Sequence, residues 1–153
     1  MNSTAVTNSR RSRKDMVNNV RSQYAGGFFY DADAKTVLLH LRDTHTTFAP
    51  GKWAFFGGLC EDKETPEDCF LRELREELGV EVDTEKVVHL RSYLNEEPKT
   101  DRHVFYTTKS VSVSALVLNE GAGFGWISLG NVFSYDLSDY TRSDLEFFVT
   151  QIQ

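Results

Sequence analysis

Residues 65–79 constrain this chain more than any other stretch. Thr65 can cap a helix, Pro66 suits its first position, and Asp68, three residues after the threonine, completes an acidic capping box. Gly79 is the natural stop. At about 100° per residue, with Phe70 as zero, Leu74, Leu78 and Leu71 fall near 40°, 80° and 100° and form one buried stripe. Glu77, Glu73 and Glu76 fall at about 340°, 300° and 240°, a second stripe along one edge of the first. Carboxylates there face the border between the helix and whatever it covers, held firmly yet within reach of water. Arg72, at about 200°, stands next to Glu76 as an i,i+4 partner.

A helix under no other demand would avoid this arrangement. Like charges at these spacings cost about 0.2–0.5 kcal/mol per pair, and acids in the last turns oppose the macrodipole by about 0.3–1 kcal/mol each. Between Gly58 and Glu85 there are eleven acids against three bases. A solvated acidic face is the ordinary explanation of such a run. Hard oxygens converging on one point also suit magnesium, calcium or manganese, and magnesium usually keeps waters and a substrate phosphate in its shell. The helix alone leaves both readings open.

Its surroundings alternate between the two periodicities. Stretches 25–31 (AGGFFYD) and 36–43 (TVLLHLRD) are β-rich and separated by a turn-like DADAK, which predicts a hairpin. Strands are also expected at 53–56, 86–94, 102–109 and 112–118, and a second helix near Ser143, with Glu146 three residues on. Strands on both sides of a capped helix, with another helix at the end, predict the α/β (α+β) class, a mixed β-sheet sandwiched between helices.

The 153 residues, 40% hydrophobic, make one domain. Five bases against one acid give residues 1–24 a charge of +4 and leave −10 for the remainder of a chain of net charge −6. The opening is rich in Ser, Thr, Asn and Arg, so residues 1–24 are expected to be a mobile basic tail and 25–153 the domain. No run approaches a membrane span and no signal-peptide core follows the start methionine, so a cytoplasmic protein is expected. Cys60 and Cys69 lack the paired spacing of a zinc site and are expected as packed free thiols.

From Gly58 the chain runs glycine, five residues, Glu64, seven residues, then Arg72-Glu73-Leu74-Arg75-Glu76-Glu77-Leu78-Gly79-Val80. This resembles, at every defined position, the signature of the Nudix hydrolase family. The stretch AGGFFYDADAKTVLLHLRD looks like the family's first hairpin, and WAFFGG like the strand that ordinarily ends in Pro-Gly-Gly, with Phe56 in place of the proline. The stretch NEGAGFGWISL, 119–129, is similar to a motif of the MutT-like branch in which a loop glutamate precedes a tryptophan by six residues.

The resemblance implies a Nudix fold and a set of roles. Glu73 and Glu77 would bind metal, Glu76 would be a ligand or act catalytically through bound water, and Gly57 would offer its carbonyl. Gly58 and Gly79 would shape the box, and Glu64 and Arg72 would pair to brace its loop. Glu120 would be a further ligand or the general base, with Glu96 and Glu97 as rivals. Arg42 resembles the arginine that commonly meets a substrate phosphate. Trp53 and Phe55 could stack a base, although core packing is the stronger expectation. His40, His45, His89 and His103 form no ligand pattern, and His40 and His89 are expected to be structural.

The implied activity is metal-dependent hydrolysis of a diphosphate linkage in a nucleoside diphosphate derivative, with Mg2+ or Mn2+ as cofactor. Nucleoside triphosphates, oxidised ones included, and nucleotide sugars are level candidates for this small-molecule nucleotide partner. No membrane or nucleic-acid partner is expected, and a homodimer is left open. Two rivals stand beside this reading. One is a non-catalytic nucleotide sensor, against which the intact glutamates count; the other is an RNA 5′-end pyrophosphohydrolase that uses the basic tail.

Overall fold

The computed structural model describes residues 21–96, 99–108 and 111–153. Glu97 and residues 1–20, most of the expected tail, lie outside the described residues. Strand β1 (Ser22–Asp31) begins inside the stretch assigned to the tail, so Ser22, Gln23 and Tyr24 belong to the sheet. It runs parallel to β6 (Lys99–Thr107) along one edge, and β6 pairs antiparallel with β5 (Val87–Glu96).

The other edge of β1 changes partner midway. Phe29–Asp31 pair with β2 (Thr36–Leu41) across the DADAK turn, where the Asp31 side chain accepts the amides of Asp33 and Ala34. Tyr24–Gly27 pair instead with β4 (Phe56–Leu59). Strand β2 does the same, pairing through His40 and Leu41 with β3 (Trp53–Ala54). The hairpin therefore splays, and WAFFGG enters the gap, bonding first to β2 and then to β1. The single strand expected at 53–56 is broken at Phe55 for this reason.

Strand β7 (Gly123–Ser128) covers the far edge of β2, from Thr36↔Ser128 to Leu41↔Gly123. The strand expected at 112–118 is not one. Its backbone closes the end of a helix instead, Val117 donating to the Leu78 carbonyl, and the glycine-rich 123–128 takes the sheet edge. The mixed sheet expected from the sequence is present, with seven strands among the described residues.

Alternation sends neighbouring residues to opposite faces. Ala25, Phe29, Leu38, Phe56 and Phe105 meet Phe70, Leu74 and Leu78 of helix α1 (Pro66–Leu78). Phe28, Val37, Leu39, Phe55, Val104 and Ile127 meet Leu145 and Phe148 of helix α2 (Asp139–Ile152). Thr65 accepts the Asp68 amide at 3.1 Å, and Gly79 ends α1 at φ 65°. Helix α2 starts earlier than expected, at Asp139, because Ser138 rather than Ser143 is its cap and accepts the Thr141 amide at 3.2 Å.

Phe148 is fully buried and makes edge contacts with Phe28, Tyr30 and Tyr106 at 4.9–5.0 Å between ring centroids. Phe148→Ala is expected to lower stability by about 3–5 kcal/mol in urea unfolding.

Candidate active site

The splay of β1 from β2 opens a cleft of about 750 Å³ that both layers line. From the α1 side come Gly57, Gly58, Glu73 and Glu77, and from the loop before β7 come Asn119, Glu120 and Gly121. From the α2 side come Tyr24, Phe55, Arg102, Ser138, Tyr140 and Thr141, while His40, Arg42 and Phe48 complete the wall.

Glu77 lies deepest among the acids of the cleft, its side chain 4% exposed. The Gly57 amide donates to its Oε2 at 2.9 Å. Gly57 has φ 154°, and a side chain there would strike the backbone of Ala25 and Gly26. Burial, then the nearby Glu73 and Glu120, push the Glu77 carboxyl up to about 9. Burial likewise raises Glu73, with Arg72 opposing.

Glu76 points elsewhere. Its side chain is 55% exposed, accepts from Arg72 at 3.0 Å and does not line the cleft. Arg72 forms a two-pronged pair with Glu64, at 2.8 and 3.0 Å, and donates to the Leu59 carbonyl at 3.2 Å. This joins the loop to the helix, and the pairing holds the Glu64 carboxyl down at about 2. The same Arg72 reaches Glu73 at 3.2 Å, so one guanidinium links three of the box glutamates.

The loop carrying Glu120 is fastened to the C-terminal end of α1. The Asn119 amide donates to the Glu77 carbonyl, its side chain donates to the Glu76 carbonyl at 3.0 Å, and Val117 donates to Leu78. These bonds satisfy carbonyls that a helix end otherwise leaves open. His40 completes the attachment, its Nε2 donating to the Glu120 carbonyl at 2.8 Å. Its Nδ1 then carries a lone pair, is buried without a hydrogen-bond partner, and lies 3.8 Å from Glu77 Oε1. Burial lowers the His40 pKa, which keeps the ring neutral. Phe56 stacks on that ring at 5.1 Å.

The acids present suit a hard divalent cation. Glu73, Glu77 and Glu120 offer carboxylate oxygens that repel one another, and the Glu77 carboxyl faces the orphaned His40 nitrogen at 3.8 Å. Cys60, Glu64 and Cys69 also come within 4.8 Å of one another. Arg72 already holds that glutamate, and burial raises both thiols, which disfavours the thiolates a soft metal needs. Cys69 is core and Cys60 packs against it.

Arg42 lines the cleft but commits its Nε to the Phe48 carbonyl at 2.8 Å. Phe55 lines the cleft and stacks on Phe28, whereas Trp53 packs into the α2-side core. Glu96 sits opposite Lys99 at the end of β5, away from the cleft. Reasoning from sequence missed His40, Asn119, Tyr24, Phe48, Arg102 and Tyr140. For His40 and Arg102 a signal existed: each occupies an inward position of its strand, in step with Leu38 and Val104, where an apolar residue is expected.

The NUDIX domain model matches residues 21–142. The chain belongs to the Nudix hydrolase family. The nucleoside triphosphatase NudI of Escherichia fergusonii is 29% identical over 123 residues, which cover 74% of this chain and 86% of that protein. An 8-oxo-dGTP diphosphatase of Proteus vulgaris is 59% identical over 32 residues, only 21% of this chain and 29% of that protein. A solved MutT, from work on Aliivibrio salmonicida and Vibrio cholerae, superposes with a TM-score of 0.71 at 21% identity, covering 86% of this chain and 98% of that one. The Nudix fold expected from the sequence is met, and members of the family generally use divalent cations. Among the described residues no helix is long and apolar enough to cross a membrane.

Because Glu77 is raised from its ordinary 4.5 to about 9, folding without metal takes up a proton between those values. Its contribution to stability is complete below the unfolded pKa and is lost as pH rises through the folded one. Melting temperature in chelator is therefore expected to fall from pH 5 to pH 9, and Glu77→Gln to flatten that slope while matching or exceeding the wild-type value at pH 8.

Proposed function

We propose that this Nudix hydrolase is a pyrophosphohydrolase that cleaves a diphosphate linkage in a nucleoside diphosphate derivative and releases a nucleoside monophosphate. Nucleoside triphosphates, oxidised ones included, and nucleotide sugars are the candidate substrates. The observation that carries this reading is one cleft joining three mutually repelling carboxylates to a wall of aromatic rings. The two relatives named for triphosphate and diphosphate cleavage lend it support.

Glu73, Glu77 and Glu120 would hold Mg2+ or Mn2+, which when bound neutralises phosphate charge and makes the phosphorus open to attack. Gly57 fixes the Glu77 carboxyl, and the Arg72 brace fixes Glu73. The exposed Glu120 carboxylate is the group to take a proton from the attacking water, while its backbone is pinned by His40. Glu76 acts in this scheme through Arg72, away from the reacting atoms. The Arg42 guanidinium, its Nε held by the Phe48 carbonyl, would meet a phosphate oxygen, and Phe48 and Tyr140, stacked at 5.9 Å, would flank the organic part.

A phosphate-release screen over nucleoside triphosphates and nucleotide sugars, with Mg2+ or Mn2+ and with chelator, tests this directly. Turnover is expected only with cation, and Glu77→Gln is expected to abolish it with the fold intact. Near-normal turnover in Glu77→Gln would sink the assignment. Glu120→Gln is expected to lower kcat by roughly 10²–10⁴ and Glu96→Gln to change it little; the reverse order would move the base to the β5–β6 end.

A further inference from the structure

Asp144 is fully buried and carries two guanidinium groups. Arg91 donates to its Oδ1 at 2.8 Å, Arg102 donates to its Oδ2 at 2.9 Å, and the Tyr93 hydroxyl also donates to Oδ1 at 2.8 Å. Among the described residues Asp144 is the one carboxylate within ion-pair distance of Arg102. Two cations therefore share one anion, and the surplus charge belongs to the more buried of them. Arg91 is 26% exposed and answers to water, whereas Arg102 is 6% exposed and lines the cleft.

A buried guanidinium with an incomplete complement of acceptors is unfavourable unless something else supplies them. Nε goes to Asp144 and the Tyr24 hydroxyl is a second side-chain partner, which leaves further N–H donors of this cleft-lining guanidinium to be met from the cleft. Its surroundings are flat. The Tyr24 ring lies 4.5 Å from its central carbon, Tyr140 5.2 Å and Phe55 5.8 Å. A slot walled by rings suits a planar ligand that presents acceptors along its edge. It suits a phosphate poorly, since that group belongs at the acidic end of the cleft, on the α1 side, while Arg102 stands on the α2 side with Val104 and Phe55.

The geometry points to Arg102 as the residue that reads the nucleobase, donating to the keto oxygen of a guanine, hypoxanthine, uracil or thymine ring. Adenine and cytosine bring an exocyclic amino group to the corresponding position, so donor would face donor. On a guanidinium only 6% exposed, donors left unpaired discriminate strongly. Selection of keto over amino nucleotides is thus a property of this chain's own Arg102–Asp144 pair. The inference rests on the nucleotide reading given above, and it names the substrate class within it.

The decisive comparison uses pairs that differ chiefly in the group concerned. Calorimetric binding of IMP against AMP, and of UMP against CMP, is measured beside kcat/KM for the matching triphosphates with Mg2+. Keto members are expected to be favoured by about tenfold to a hundredfold, and Arg102→Met, which leaves Asp144 paired with Arg91 and Tyr93, is expected to bring both ratios close to one. Equal binding within each pair by the wild-type protein overturns the proposal even if the variant does not fold, and so does failure of all four monophosphates to bind. An equal loss for all four ligands in folded Arg102→Met, with ratios unchanged, also overturns it. Keto selectivity in binding without turnover of any triphosphate would instead remove the hydrolase reading and leave the base reading standing.

Discussion

The hydrogen bond from the Gly57 amide to the Glu77 carboxyl joins the sheet to the helix at the point where the helix is least able to tolerate an acid. Around it the chain gives up options. A side chain on Gly57 would strike β1, and one on Gly58 would come within 2.6 Å of the Glu73 carboxylate. Phe56 lies flat against His40. Arg72 keeps the loop and α1 at a fixed separation through Glu64 and the Leu59 carbonyl. Each element serves to hold carboxylates close together against their own repulsion.

The same economy joins capping to the cleft. A helix end leaves carbonyls without partners, and here residues 117–119 satisfy them. Because Glu120 follows directly, the bonds that finish the helix also deliver the remaining acid to the cleft. His40 then ties that segment back to β2, eighty residues away in sequence. Gly121, at φ 87°, allows the approach, since a Cβ there would overlap the imidazole.

This explains what could be read beforehand. The buried stripe of α1, its cap at Thr65, its stop at Gly79 and the first hairpin follow from local patterns, and the structure has all of them. The stretch 112–118 misled because its alternation imitates a strand while its amides are drawn to the helix end, a long-range demand that no window of sequence displays. Strand β7 was hidden by its glycines, which blur alternation, yet its place beside β2 depends on pairing rather than on side chains. Glu76 shared the acidic stripe with Glu73 and Glu77, but a difference of about 60–100° around the helix was enough to leave it at the surface with Arg72. Arg102 and Asp144 could not be paired from sequence at all, since 42 residues separate them.

The split in the first hairpin accounts for how one cleft can hold opposite chemistries. Had β1 and β2 stayed paired along their whole length, the sheet would have separated the α1 and α2 layers completely. Phe56 would still face one core and Phe55 the other, but no ligand could touch both. By parting after Phe29 and Leu38 and admitting WAFFGG between them, the strands leave a gap at the end where Tyr24 and His40 stand. Acids on α1 and the guanidinium of β6 then face the same volume from the two sides of one sheet. With a divalent cation on Glu73 and Glu77, as proposed, a polyanion carrying a flat head would lie with its phosphates at that end and its ring toward Arg102.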